Sequence, residues 1–246
     1  MKTIRADLHI HTLLSPCGDL EMSPANIVRM AKDKQIDMIA ITDHNSTKHC
    51  KLTRQIGLRE GISVLSGVEV TTKEEVHCLA YFENDSGLDA FQEFIEAKIL
   101  RLPNRPDIFG HQVVLDEEEN IIEEVEYMLG SSLIASIEEV QEEVKKLGGI
   151  FIPAHIDRPR NSIMSQLAFF PVHLDCDAIE VSFAAIQKEY MDSHPELSSF
   201  PVIRNSDAHY IENIGRKSTS FKMEEATFTE LKKALASEKG RKINVG

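Results

Sequence analysis

Short runs of β-branched and apolar residues alternate along this chain with longer segments in which apolar positions recur at helical spacing. Ile4–His11 reads as a first strand. Ser23-Pro24 then sets a capping hydroxyl before a proline suited to the first helical turn, and Ile27, Val28, Met30 and Ala31 supply the apolar face of a helix over Pro24–Lys34. Ile36–Thr42 predicts a second strand and Ser46–Glu60 a second helix; Ile62–Thr71 and Val76–Phe82 are strands, and Gly87–Leu100 a helix. The rhythm breaks at Pro103, Pro106, Gly110 and the acidic run Asp116-Glu117-Glu118-Glu119, so Leu102–Ser136 reads as an insertion forming a small helical cap. Beyond it, Ser136 and Glu139 stand at capping-box spacing for a helix to Leu147, and Gly149–Ala154, Ala178–Val181 and Val202–Asn205 are strands. The tail closes with a strand at Ser218–Lys222, a helix at Thr227–Ser237 and a strand at Lys242–Val245. The whole reads as one α/β domain over residues 1–246 with a largely parallel sheet.

Residues of one chemical kind gather where these strands end. Period-two geometry turns His9 and His11 of Asp7-Leu8-His9-Ile10-His11 to the same side. Asp43-His44 follows IDMIAIT, Glu69 follows VLSGV, His77 lies in VHCLAYF, His155 follows IFIPA, and Asp207 and His209 follow VIRNS. In parallel α/β barrels the carboxyl ends of the strands converge on one face, so residues as remote as 9 and 209 can meet. A mixed imidazole and carboxylate set suits Zn, Mn or Fe. His49, His111, His173 and His194 fall on helices and loops and read as surface or packing residues.

Charge and composition bear on the substrate. Lys+Arg total 27 against Asp+Glu 40, a net charge of -13, which leaves no broad basic surface for a nucleic-acid backbone. A long duplex is therefore not expected as a partner, whereas a small phosphorylated substrate is, because bound cations make one pocket locally positive. Cys17, Cys50, Cys78 and Cys176 form no C-x-x-C pair and read as reduced thiols. With no signal peptide, and no apolar run approaching the ~18 residues of a membrane span, a cytoplasmic protein without membrane attachment is expected. Oligomeric state is not legible.

The motifs DLHIHTLLSPCGD at 7–19, ITDHN at 41–45, PAH at 153–155 and NSDAH at 205–209, in that order, resemble those of the PHP (polymerase and histidinol phosphatase) family of metal-dependent phosphoesterases. The stretches GVEVTTKEEVHCLAYF, IEVSF and SDAHYIENIG are similar to stand-alone members related to 3′,5′-nucleoside bisphosphate phosphatases and short-oligonucleotide 5′-exonucleases. The resemblance implies a distorted (β/α)7 barrel with a small insertion, and two or three divalent metal ions, Mn, Fe or Zn. It implies one site from His9, His11, Glu69 and Asp207, a second sharing Glu69 and completed by His77 and His155, and a third from Asp19, His44 and His209. It further implies hydrolysis of phosphate esters by metal-activated hydroxide on a small nucleotide or short oligonucleotide. Histidinol phosphate is an alternative substrate, and amidohydrolase action on C–N or carboxylic ester bonds an alternative reaction. The third set and the lack of a strand-end lysine that could carry a carbamylated bridge argue for phosphate esters. Asp7 and Asp43 read as partners orienting His9 or His44, with a direct catalytic role also open for Asp43. Arg158 and Arg216 read as guanidinium donors to phosphoryl oxygens, with Asn161 and Ser162 beside Arg158 as hydrogen-bonding helpers.

Overall fold

The computed structural model describes residues 1–182 and 190–244; Phe183 of the IEVSF segment and Val245 of the last expected strand lie outside the described residues. Strands β1 (Lys2–Ile10), β2 (Met38–Ile41) and β3 (Ser63–Thr71) pair in parallel, joined by helices α1 (Pro24–Asp33) and α2 (Cys50–Glu60). α1 starts as its sequence dictates, with the Ser23 hydroxyl accepting from Asn26 N and Pro24 in the first turn. β4 (His77–Phe82) runs antiparallel to β3, because only a tight turn closed by Glu75 N on Thr72 O joins them and a parallel return needs a crossover. There follow α3 (Asp85–Lys98), α4 (Pro106–Phe109), β5 (Val113–Leu115), β6 (Ile121–Glu124), α5 (Ile137–Lys146), β7 (Ile150–Pro153) and α6 (Ile163–Leu167). Beyond these lie β8 (Ile179–Glu180), β9 (Val202–Ile203), β10 (Thr219–Met223), α7 (Phe228–Leu235) and β11 (Lys242–Asn244). No helix among the described residues is long and apolar enough to cross a membrane.

The main sheet runs β11-β10-β1-β2-β3-β4-β7. Its far end returns to its beginning through β8 and β9. Asp177 N donates to Phe151 O and Ile156 N to Glu180 O, β8 pairs in parallel with β9, and His11 N donates to Ala208 O. The result is a distorted α/β barrel of β1, β2, β3, β4, β7, β8 and β9, in which β4 alone among the described strands of the ring runs against the rest. β10 and β11 stand outside this ring, β10 antiparallel to the lower half of β1 and β11 antiparallel to β10.

Both faces of the sheet are buried. Ala6, Leu8, Met38, Ala40, Leu65, Leu79, Tyr81, Ile152 and Ile203 fill the barrel, with Leu231 and Leu235 of α7 packed against them. Ile39, Ile41, Val68, Val70, Ala80 and Phe151 face outward onto α1, α3 and α5. The interior is tight: a Cβ on Gly67 would stand 2.7 Å from Tyr81 Cδ1 and 2.9 Å from Ala80 O, so only glycine lets the Tyr81 ring fill the barrel.

The insertion is a two-stranded β5–β6 sheet with a single helical turn, α4, rather than a helical cap. Val113-Val114-Leu115 prefers a strand, and the acidic run is its hairpin turn, with Asp116 Oδ1 accepting from Asn120 N at 2.8 Å. Leu14, Val114, Val125 and Leu129 form a small core that seats this sheet on the loop following His11.

Candidate metal centre

A register slip on β1 aims the first two histidines. Asp7 pairs with Ile39 and Ile10 with Ile41, so β1 accommodates an extra residue between them. Leu8 faces the barrel interior while Ile10 has passed to the outer core. His9 and His11 are left pointing together into the mouth, their Nε2 atoms 3.1 Å apart. Strand alternation predicts their shared side; the bulge supplies the inward direction.

Glu69, on the inner face of β3 and 1% exposed, is the hub. Its Oε1 lies 2.9 Å from His77 Nδ1, 3.1 Å from His155 Nε2 and 3.4 Å from His9 Nε2. Its Oε2 lies 3.1 Å from His44 Nδ1 and 3.2 Å from His11 Nε2. Asp207 Oδ1 stands 3.3 Å and 3.2 Å from the Nε2 atoms of His9 and His11, and 3.6 Å from His209 Nδ1. His77 begins its strand instead of ending it; because β4 runs backward, this first residue pairs with Thr71 and reaches the same rim. His155 and Asp207 take φ values of 29° and 51°, left-handed conformations that a non-glycine residue keeps where its side chain must be aimed.

Among the described residues, three sets bring ligand atoms within 4.8 Å of one another: His9, His11, Glu69 and Asp207; His44, Glu69 and His77; His11, His44 and His209. The first coincides with the first set implied by the motifs, and His155 joins His77 on Glu69 Oε1. Asp19 stands apart. Its backbone N donates to His209 O at 2.9 Å, but its Oδ1 accepts from Glu21 N at 2.8 Å within its own turn.

The hydrogen bonds behind these ligands differ from expectation. His9 Nδ1 lies 3.2 Å and 3.1 Å from the two oxygens of Glu180, which also accepts from Asn205 Nδ2 at 2.8 Å and His155 N at 2.9 Å. Glu180 ends β8 but was not among the residues singled out in the sequence; its signal is an acidic residue inside the apolar run AIEV. His11 Nδ1 donates to Ser15 Oγ at 3.0 Å, and Ser15 donates to Asp43 Oδ1 at 2.7 Å. Asp43 also accepts from Thr12 N and Thr12 Oγ1, so through Ser15 it orients the ring of His11 and only the backbone of His44, whose N donates to Ser15 Oγ at 3.1 Å. Asp7 accepts from Ser206 N at 2.9 Å and Gly215 N at 2.7 Å and thereby holds the loop bearing Asp207 and His209, not the ring of His9.

This donor set fits divalent cations. With Nδ1 of His9 and His11 committed outward, their Nε2 lone pairs converge with Glu69 and Asp207 at distances where only a shared proton or cation relieves the repulsion. Asp207 Oδ1 and His44 Nδ1 are buried against other members of the cluster without a well-formed hydrogen bond, and His155 Nδ1 is buried with none.

The metal-free cluster holds protons instead. Burial disfavours charge on His11, but the carboxylates of Asp207 and Glu69 beside its Nε2 outweigh it and push its pKa up to about 9. His9 is raised too, burial being outweighed by Asp207, Glu180 and Glu69. Burial and the His11 charge press His209 down to about 4. The raised folded-state value of His11 gives stability that is complete below its ordinary pKa of 6.5 and lost as pH climbs through about 9. Metal uptake at neutral pH is therefore expected to release protons, with affinity rising up to roughly tenfold per pH unit for each proton displaced. Calorimetric titration in buffers of different ionisation enthalpy measures this; a heat independent of buffer would mean that both rings are already neutral.

On one side of the cluster a 240 Å³ cleft is lined by His77, His155, Arg158, Pro159, Arg160 and Asn161. Arg158 Nη1 meets Asp207 Oδ2 at 2.6 Å and Nε donates to Ser182 Oγ at 3.1 Å. Ser162 is turned inward, its hydroxyl donating to Arg158 O. Arg216 is exposed and its side chain makes no hydrogen bond or ion pair among the described residues, whereas its neighbour Lys217 is partly buried within electrostatic reach of Arg158, Asp157 and Glu180. Lys217 was missed because the sequence ranks neighbouring cations only by proximity to His209.

Among solved structures, Endonuclease Q from Pyrococcus furiosus superposes with a TM-score of 0.72 over 98% of this chain and 58% of its own, at 22% identity. A complex of Endonuclease Q with a 27-mer duplex substrate bearing an abasic lesion at the active site gives the same score at 20% identity. The exclusion of a long duplex, which rests on net charge, is overturned by this neighbour. Net charge sums over a whole surface, while binding follows the local potential, so the overall charge of a chain does not exclude a duplex. The uncharacterized protein YqxK of Bacillus subtilis is 26% identical over 282 residues, covering 99% of this chain and 64% of YqxK. This chain thus spans less than two thirds of the length of YqxK or Endonuclease Q. The PHP domain family model matches residues 7–156, more than half of the 246, and the chain belongs to the PHP domain family.

Proposed function

We propose that this protein hydrolyses phosphate esters of nucleotides or nucleic acids at the Glu69-centred cluster. The observation that carries the reading is the ring of His9, His11, His44, His77 and His155 around one buried carboxylate, with the Arg158 guanidinium entering from the open side. On this reading His9, His11, Glu69 and Asp207 hold one divalent cation, Glu69, His77 and His155 a second, and His11, His44 and His209 a third. Mn, Fe and Zn all suit such donors. Bound cations supply Lewis acidity that activates water and neutralises phosphoryl oxygens. Arg158, and Lys217 behind it, offer positive charge to a substrate phosphate, and the dry barrel floor beneath Glu69 keeps the carboxylates strongly coupled to that charge.

The test is turnover by the Mn- or Zn-loaded protein of p-nitrophenyl phosphate, nucleoside bisphosphates, short oligonucleotides and an abasic duplex, beside amide and histidinol phosphate controls. Phosphate-ester hydrolysis that disappears on chelation is expected; a fully metallated protein inert to every phosphate would end this reading. Arg158→Ala is expected to raise KM several-fold, about 3–10-fold, more than it lowers kcat, since a contact to a non-reacting oxygen is felt in ground and transition states alike. An unchanged KM would confine Arg158 to its pairing with Asp207.

A further inference from the structure

His49 immediately precedes α2 as its N-cap residue, far in sequence from the insertion and outside the ligand sets, yet it is completely buried and both ring nitrogens are engaged. Leu115 N of β5 donates to His49 Nε2 at 2.9 Å, which makes Nε2 an acceptor and leaves the ring proton on Nδ1. That Nδ1–H faces Thr12 Oγ1 at 2.7 Å, and the Thr12 hydroxyl donates its own proton to Asp43 Oδ2 at 2.8 Å. Thr12 N holds Asp43 Oδ1 at 2.7 Å, and the same Oδ1 receives Ser15 Oγ, the acceptor of His11 Nδ1–H.

We propose that His49 is a positioning residue of the metal centre, coupling the β5–β6 hairpin to the ligand His11 through Thr12, Asp43 and Ser15. The proposal rests on the reading of His11 as a metal ligand. Asp43 only accepts, so Thr12 and Ser15 must donate to it; each hydroxyl also accepts from one backbone amide, Leu14 N or His44 N, and has one lone pair left for an imidazole. His11 is thereby held with its proton on Nδ1 and its Nε2 lone pair toward Glu69 and Asp207. A ring kept only to fill space would need neither partner. Burial lowers the pKa of His49, which agrees with a neutral ring accepting from an amide. Leu13, Val113 and Leu115 form a small apolar cluster, so the hairpin and the loop following His11 are held together by an apolar contact as well as by the relay. A displacement of β5 is felt at His11.

The experiment compares Zn²⁺ and Mn²⁺ affinity, by competition with a chelator and without substrate, for the full chain and for His49→Ala, His49→Asn and Thr12→Val. His49→Ala and Thr12→Val are expected to bind metal at least about 10-fold more weakly, the usual cost of losing a partner behind a ligand. His49→Asn, whose amide nitrogen reaches the place of Nδ1, is expected to recover most of that affinity. Folded His49→Ala and Thr12→Val proteins with wild-type affinity would overturn the proposal, as would an Asn variant no better than Ala. If His49→Ala fails to fold, Thr12→Val decides alone. Because no substrate is involved, a protein inactive on every phosphate ester would leave the result standing.

Discussion

Glu69→Gln is expected to empty the centre of tightly held metal and to lower phosphate-ester turnover by about 10³-fold or more, with far-UV circular dichroism close to wild type. The size follows from the geometry: one carboxylate stands within 3.4 Å of His9, His11, His44, His77 and His155, so its charge serves every part of the cluster at once. An amide of the same shape offers one neutral oxygen and turns two N–H donors toward imidazole lone pairs. The substitution acts on protons as well. In the metal-free protein His11 owes its raised pKa, about 9 against burial, to Asp207 and Glu69, so removing Glu69 lowers that value and fewer protons leave on metal uptake. Metal analysis after dialysis, turnover and buffer-dependent calorimetry are three separate readings. Retention of full metal content together with full turnover would remove Glu69 from the centre.

Most of the barrel was legible because its strands are short and apolar and its helices carry explicit stop and start signals. Ser23 before Pro24, Ser136 with Glu139 and Thr227 with Glu230 all cap helices where the pattern places them. The clustered side chains were legible for a related reason: a charged or imidazole residue directly after an apolar run stands at the rim where strands converge. Features that depend on a partner strand were not legible. The slip between Asp7 and Ile10 appears only when β2 lies alongside, and the reversal of β4, which brings His77 to the rim from the wrong end of its strand, follows from the length of one turn. Acidic residues 116–119 read as a break, although they close a hairpin. The roles of Asp7, Asp43 and Glu180 depend on which backbone amide or ring nitrogen lies opposite, and proximity in sequence paired two of them with the wrong neighbours. His49, set aside as a packing residue, is buried as expected of one, but its partners come from segments 37 and 66 residues away.

Glu180→Ala carries the second large effect, and it separates support of the ligands from ligation itself. Glu180 is 2% exposed and sits beneath the cluster, accepting from His9 Nδ1, Asn205 Nδ2 and His155 N. Burial opposes its ionisation, but the His9 ring outweighs burial and holds the carboxyl below its ordinary value. Its depressed folded-state pKa therefore contributes stability that is present above the unfolded value of 4.5 and lost as pH falls through the lower, folded one. Truncation to Ala leaves three buried donors facing a cavity, and the metal-free protein is expected to lose about 3–5 kcal/mol. His9, no longer held by a carboxylate behind it, is expected to bind metal about 10–100-fold more weakly. Glu180→Gln keeps the volume and one acceptor, so most of the stability should return, but its amide N–H groups face His155 N–H or Asn205 Nδ2–H and metal affinity should recover only in part. Thermal unfolding of the metal-free proteins, set beside chelator competition on the folded ones, distinguishes the two contributions. Equal losses of stability in Ala and Gln variants, with metal affinity untouched in both, would mean that Glu180 supports the barrel wall and not the orientation of His9.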